Sequence, residues 1–77
     1  MAERIQNGDV VLHFKGNRYL VLETEAYWHD DGSRLVVYKT LDTQRVYVRP
    51  YWMFLSEVDR KKYPDVKQRF RFEVVEQ

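Results

Sequence analysis

Apolar and polar residues alternate along most of this chain, and a period of two is typical of β-strands that bury one face. The first example lies near the N-terminus. There Val10, Leu12 and Phe14 recur at every second position, which places them on one face of a strand, with Val11 and His13 on the other. The pattern predicts a half-buried first strand.

Turn signals separate the alternating segments. Residues 16–17 (Gly-Asn) tolerate the positive φ angles of a tight turn, and residues 30–33 (Asp-Asp-Gly-Ser) form a stronger signal. The segment after the second turn is rich in β-branched residues, which favour strands. The predicted strands cover residues 9–14, 18–26, 35–40, 45–49 and 70–74.

The fourth strand has the strictest alternation in the chain. In residues 45–49 the two valines, Val46 and Val48, are expected to point inward, whereas Tyr47 and Arg49 are expected to point outward. Arg49 also precedes a proline, so its guanidinium could stack on a ring or bind a carboxylate or phosphate through two hydrogen bonds.

A helical turn is predicted directly after this strand. Pro50 cannot donate to a strand ladder, but it suits the first position of a helix. Tyr51, Phe54 and Val58 follow at spacings of three and four residues, as on one face of a helix. We therefore expect one helical or 3₁₀ turn to cap the sheet, with Phe54 and Val48 buried where the strand meets the turn.

Length and composition indicate one small domain over residues 1–77. The hydrophobic fraction of 44%, with 16% aromatic residues, is ample for one core. There are no cysteines, so disulfides are excluded and a reducing cytoplasm is favoured. No export signal or long apolar stretch is seen, so we expect no membrane insertion. Five short strands with one helical turn predict a mainly β fold, a small barrel.

Charge is distributed unevenly along the chain. Residues 1–33 carry three Lys/Arg against six Asp/Glu, whereas residues 34–77 carry ten against six, within a total of +1. The basic residues of the second half could bind phosphates or an acidic partner. The alternative is a solvated loop and an edge strand that uses charge to prevent aggregation. The candidate phosphate-binding residues are Arg60, Lys61, Lys62, Lys67, Arg69 and Arg71.

Several short motifs follow one another between about residues 8 and 58. They are His13-Phe14-Lys15-Gly16, then Tyr19, Val21 and Ala26, then Leu35-Val36-Val37-Tyr38, then Val48-Arg49-Pro50 with Met53-Phe54 and Val58, and the pair Arg69-Phe70 comes later. In combination they resemble the small bacterial family catalogued as domain of unknown function 1653. The resemblance implies an SH3-like small five-stranded β-barrel of bacterial or phage origin. It implies no activity.

Candidate catalytic groups are few. His29-Asp30-Asp31 could bind a metal, but adjacent residues in a tight turn point in different directions. Ser33 and Ser56 lack the Gly-x-Ser-x-Gly context of a nucleophile, and the isolated glycines form no phosphate loop. We therefore expect no enzyme, no cofactor and no metal site.

The remaining class of function is recognition of a binding partner by surface side chains. Tyr and Trp supply contact area at low entropic cost, and this chain has more of them than its core needs. The first hypothesis is a binding module for a peptide or protein partner. The second is a nucleic-acid or nucleotide binder that uses the basic residues of 60–71. We expect a monomer or a weak homodimer. The residues of the expected aromatic groove are Tyr27, Trp28, Tyr47, Arg49 and Trp52.

Overall fold

The fold is mainly β, as the sequence predicts. The structure, a computed structural model, describes residues 5–76. Each predicted strand end lies within two residues of the observed end, and the predicted helical turn is present. The elements are β1 (Val10–His13), β2 (Arg18–Tyr27), β3 (Arg34–Thr40), β4 (Val46–Pro50), α1 (Tyr51–Phe54) and β5 (Phe72–Glu76).

The five strands form one antiparallel sheet in the order β4-β3-β2-β1-β5. The ten-residue β2 pairs with β1 through its first part and with β3 along its length. Its pairing with β3 shifts register between Val21 and Glu23 and again between Glu23 and Ala26. Such bulges increase the twist and bend a strand. The sheet therefore curls, and Phe72 on β5 comes to face Tyr38 on β3, with ring centroids 5.5 Å apart.

Aromatic rings fill the inside of the curled sheet. Phe54 on α1 has no exposed surface and stacks on Phe72, with ring centroids 4.0 Å apart and planes 5° from parallel. The prediction that Phe54 is buried where the strand meets the helical turn is therefore confirmed. The buried cluster consists of Val11, Val21, Val36, Tyr38, Phe54 and Phe72.

The predicted orientation of β4 is wrong. Val46 and Val48 are 56% and 60% exposed, whereas Arg49 is half-buried and the Tyr47 ring packs on Tyr38. Val48 is therefore not buried at the junction with α1. Alternation shows which residues share a face, but it does not show which face is inside. Here the Tyr47 ring packs on Tyr38, and the Arg49 side chain packs beside it with its Nε donating to the Tyr38 hydroxyl, because long amphipathic side chains can bury apolar atoms while their polar ends reach a partner or solvent.

The burial of side chains on β1 also differs from what its alternating pattern predicts. Val11 is fully buried, whereas Val10 and Leu12 on the more apolar face are only half-buried. β1 lies between β2 and β5, so both of its edges are paired, and the side chain that the core encloses completely is that of Val11. Phe14 lies beyond the end of β1, where its backbone N–H donates to the carbonyl of Arg71 at 3.0 Å.

Candidate functional site

Four segments of the chain meet around a hollow of about 330 Å³. They are the end of β1 with its following turn, the edge strand β4, the loop between α1 and β5, and the residue before β5. Asp59 and Phe14 contribute to the wall. We call this hollow the basic pocket, and its other lining residues are His13, Lys15, Arg49, Lys62, Tyr63 and Arg71.

Hydrogen bonds hold the long loop between α1 and β5 against the sheet. Its two ends pair with each other, because Val58 N–H donates to the carbonyl of Arg69 and Arg71 N–H donates to the carbonyl of Ser56. The side-chain amide of Gln68 donates to the carbonyl of Leu12 at 2.7 Å, which ties the loop to β1. These bonds place the basic loop residues beside His13 and Arg49.

Positive charge dominates the basic pocket. Four cationic side chains line it, against the single carboxylate of Asp59. Among residues 5–76 none of these four cations lies within 4.0 Å of a carboxylate. The ion pair in this part of the chain joins Arg69 to Glu57, which lie outside the pocket. Asp59 itself accepts a hydrogen bond from the backbone N–H of Lys61. Uncompensated like charges in one concave site concentrate a positive potential and attract anions.

Arg71 has an unsatisfied donor at this site. Its Nε is buried and has no hydrogen-bond partner in the structure. The backbone on either side is fixed, because the carbonyl of Arg71 accepts from Phe14 N–H and its own N–H donates to Ser56. A buried donor without an acceptor is costly, and the cost is greater for a charged group. The donors that Arg71 can offer to a ligand in the basic pocket are therefore those of its terminal guanidinium nitrogens.

Arg49 is held in place from the core side. Its Nε donates to the hydroxyl of Tyr38 at 3.2 Å, and one terminal nitrogen contacts the sulfur of Met53 at 3.5 Å. The guanidinium carbon lies 5.7 Å from the centre of the Phe72 ring. An arginine has five N–H donors in a rigid fork, so these contacts leave donors free for a ligand.

His13 responds to the positive charge around it. The pKa of its imidazole is lowered to about 4, first by burial and then by the charges of Arg49, Arg71 and Lys15, in that order of importance. The Nδ1 atom accepts the backbone N–H of Lys15 at 3.1 Å. The neutral ring therefore carries its proton on Nε2, which makes His13 a hydrogen-bond donor at neutral pH.

Lysines and an aromatic ring form the rim of the pocket. The Nζ atoms of Lys15 and Lys62 lie 5.5 Å and 5.7 Å from the centre of the Tyr63 ring. Tyr63 also packs edge-on against Phe14, at 4.9 Å between ring centroids. Contacts of a cation with an aromatic face orient the lysine heads without neutralising them. Both ammonium groups thus remain available to an anion.

The structure divides the predicted phosphate-binding residues into three pairs. Lys62 and Arg71 line the basic pocket. Arg60 donates to the carbonyls of Val66 and Gln68 and so holds the loop together, whereas Arg69 forms an exposed ion pair with Glu57 at the surface. The remaining pair, Lys61 and Lys67, is exposed outside the pocket.

The residues of the expected aromatic groove are spread over the surface. Arg49 lines the basic pocket, and Tyr47 lines a different hollow. Tyr27, Trp28 and Trp52 are 57%, 54% and 69% exposed. Within the described part of the chain, no ring contact joins these three aromatics to one another or to Tyr47.

Sequence reasoning did not select His13, Lys15 and Tyr63 as site residues. His13 and Lys15 fall in a motif that supported the family resemblance, but nothing local links them to Arg49 or Arg71. Their meeting depends on the pairing of β1 with β5, in which His13 lies opposite Phe72. That pairing joins positions about sixty residues apart along the chain.

Comparison with known proteins identifies the family. A family model described as "Protein of unknown function (DUF1653)" matches residues 9–74, which include the whole basic pocket. The chain belongs to the DUF1653 family. The resemblance seen in the sequence motifs is thereby confirmed. No curated protein and no solved structure matches the chain. Since the DUF1653 description assigns no activity, function must be argued from the site.

Residues 5–76 contain neither a metal-binding cluster nor a membrane-spanning helix. No group of three or more His, Asp or Glu side chains is placed to hold a metal ion. No helix in this range is long and apolar enough to cross a membrane, as α1 spans only four residues.

Proposed function

We propose that this protein is a non-catalytic binding module that holds an anionic group of its partner, a phosphate or a carboxylate, in the basic pocket. The observation that carries the proposal is the set of four cationic side chains, those of Lys15, Arg49, Lys62 and Arg71, that line the basic pocket against one carboxylate. A bound oxyanion would accept hydrogen bonds from these cations and neutralise the local charge.

The pocket is organised for anion binding before any ligand arrives. Tyr38 fixes Arg49, and the backbone of Lys15 fixes the tautomer of His13. Groups that are already oriented lose little entropy on binding, so more of the interaction energy appears as affinity. Arginine also binds carboxylates and phosphates through two parallel N–H bonds, which favours an oxyanion over a halide.

The side chains of the pocket support binding over catalysis. Its lining includes no serine, threonine or cysteine to act as a nucleophile. His13 is neutral, but its Nδ1 already accepts a hydrogen bond and its Nε2 carries the proton, so it offers no free basic nitrogen. Apart from the carboxylate of Asp59, the polar side chains that line the pocket are therefore hydrogen-bond donors.

Titration with inorganic phosphate tests the proposal. We expect ¹⁵N-labelled protein to show saturable shifts at His13, Lys15 and Arg71, and we expect Arg71→Gln to weaken binding at least tenfold. Arg69→Gln is the matched control, because it removes the same charge two residues away, outside the pocket. Lys62→Gln is a second pocket variant, at an exposed position where folding is not in question. Equal weakening by Arg69→Gln and Arg71→Gln would show only general charge attraction and would reject the site.

A peptide or protein partner bound by surface aromatics is a second candidate. It is supported by the high exposure of Tyr27, Trp28 and Trp52, since exposed Trp and Tyr are enriched where proteins bind partners. If this candidate is correct, Trp28→Ala or Trp52→Ala will abolish capture of the partner, while Arg71→Gln will leave it intact. The reverse result would assign the partner to the basic pocket.

A further inference from the structure

The edge strand β4 presents a row of alternating cationic and aromatic side chains. Tyr47 and Arg49 lie on the same face, because both contact Tyr38: the Tyr38 and Tyr47 rings stack at 5.9 Å, and Arg49 Nε donates to the Tyr38 hydroxyl. Arg45 lies two residues before Tyr47, and its carbonyl accepts from Thr40 N–H at 3.0 Å. Residues two apart on a strand are separated by about 7 Å.

Tyr47 lines a second hollow, of about 530 Å³, that adjoins the basic pocket along β4. The turn between β1 and β2 contributes to both hollows, because Lys15 lines the basic pocket while Gly16 and Asn17 line the second one. Two more cations, Arg18 and Arg45, line the second hollow, against the single carboxylate of Asp42. Tyr47 thus lines the second hollow, while Arg49, two residues further along β4, lines the basic pocket.

The Tyr47 ring has the properties of a stacking platform. It is 39% exposed, and its buried side is supported by Tyr38 and by the edge of Tyr19 at 6.3 Å. A ring that is fixed on one side and open on the other can accept a flat ligand ring without losing conformational freedom. Valine or leucine at this position would cover the core equally well but would offer no such surface.

From this arrangement, and resting on the function proposed above, we infer that the ligand is single-stranded nucleic acid. One phosphate occupies the basic pocket, a base stacks on Tyr47, and a neighbouring phosphate lies between Arg18 and Arg45. Single strands are bound by grooves that combine cations for the backbone with exposed aromatics for the bases. A duplex keeps its bases paired inside, so it cannot reach Tyr47. An acidic peptide would use the cations but has no repeating flat ring.

The test compares two labelled oligomers of equal length and charge: oligothymidylate, and an abasic oligomer with the same sugar-phosphate backbone. Fluorescence anisotropy should show that oligothymidylate binds about tenfold tighter, as expected for one stacked base. At physiological salt we expect a dissociation constant weaker than about 10 µM, because few phosphates are contacted. A duplex of the same length should bind no better than the abasic oligomer.

Variants assign the effect to particular side chains. Tyr47→Leu should reduce oligothymidylate binding to the level of the abasic oligomer, whereas Tyr47→Phe, which keeps the ring, should retain the preference. Arg45→Gln should reduce the slope of log K against log salt by about 0.7, the value for one phosphate on a single strand. Arg69→Gln, whose arginine pairs with Glu57, is the control and should leave the slope unchanged.

The outcomes separate this inference from the proposed function. If the two oligomers bind equally tightly and Arg71→Gln binds neither, the inference of a stacked base is overturned, but the anion site is supported. A thymidine preference that survives Tyr47→Leu would also overturn it. If neither oligomer nor inorganic phosphate binds, the proposed function itself fails.

Discussion

Replacing Phe54 by alanine should remove the main support of the core. Phe54 is fully buried on α1, stacks on Phe72 at 4.0 Å and meets Tyr38 edge-on at 5.1 Å. Truncation of a buried phenylalanine costs about 3–5 kcal/mol of unfolding free energy, through lost transfer energy and the cavity left behind. A domain of this size has a total stability of roughly 5–10 kcal/mol, so Phe54→Ala should be barely folded at room temperature.

Urea denaturation followed by far-ultraviolet circular dichroism measures this effect. Fluorescence is a poorer probe, because Trp28 and Trp52 are both largely exposed. The matched control is Trp52→Ala, which removes a larger ring from the same helical turn but from its solvent side. We expect the control to cost less than about 0.5 kcal/mol. An unchanged midpoint for Phe54→Ala, or an equal loss in the control, would refute the view that α1 closes the core through this ring.

Three further predictions concern stability and charge. Because the pKa of His13 is lowered from its ordinary value of 6.5 to about 4 on folding, the unfolded chain binds more protons than the folded chain between these two pH values. Stability should therefore fall as pH is lowered from about 6.5 to 4, and His13→Gln should flatten this part of a curve of urea midpoint against pH. Val48→Thr should change the unfolding free energy by less than about 0.5 kcal/mol, whereas Val36→Thr, at a buried position of β3, should cost about 1–3 kcal/mol in the same assay. Lys62→Gln should reduce the salt dependence of oligonucleotide binding, while the neighbouring Lys61→Gln, outside the pocket, should not; equal effects would contradict the placement of Lys62.

The positions of the strands could be predicted because they depend on local signals. Alternation in residues 45–49 and the glycine turn at 30–33 each act over a few residues, and both elements are found where the sequence places them. The burial of Phe54 could also be predicted, because its spacing after Pro50 determines which side of the helical turn it occupies. The sequence signals that predict these features are local, although the contacts that bury Phe54 come from Tyr38 and Phe72.

The faces of the strands and the site could not be predicted in the same way. Val46 and Val48 are exposed because the core is built from aromatic rings, and that choice depends on how Tyr38, Phe54 and Phe72 pack together. The basic pocket depends on contacts across the whole chain. Arg49 and Arg71 were both recognised as candidate anion-binding residues, but in separate hypotheses. Only the curl of the sheet and the pairing of β1 with β5 bring them together.

The most direct test of the account is to observe the Nε–H groups of the arginines by ¹⁵N NMR while inorganic phosphate is added. We predict that the Nε–H resonances of Arg71 and Arg49 shift together along one binding curve, because both guanidinium groups line the site that phosphate occupies. Arg60 and Arg69, which already have partners in the loop, should stay in place. An Arg71 resonance that does not move at saturating phosphate, or larger shifts at Arg60 and Arg69, would contradict the anion site.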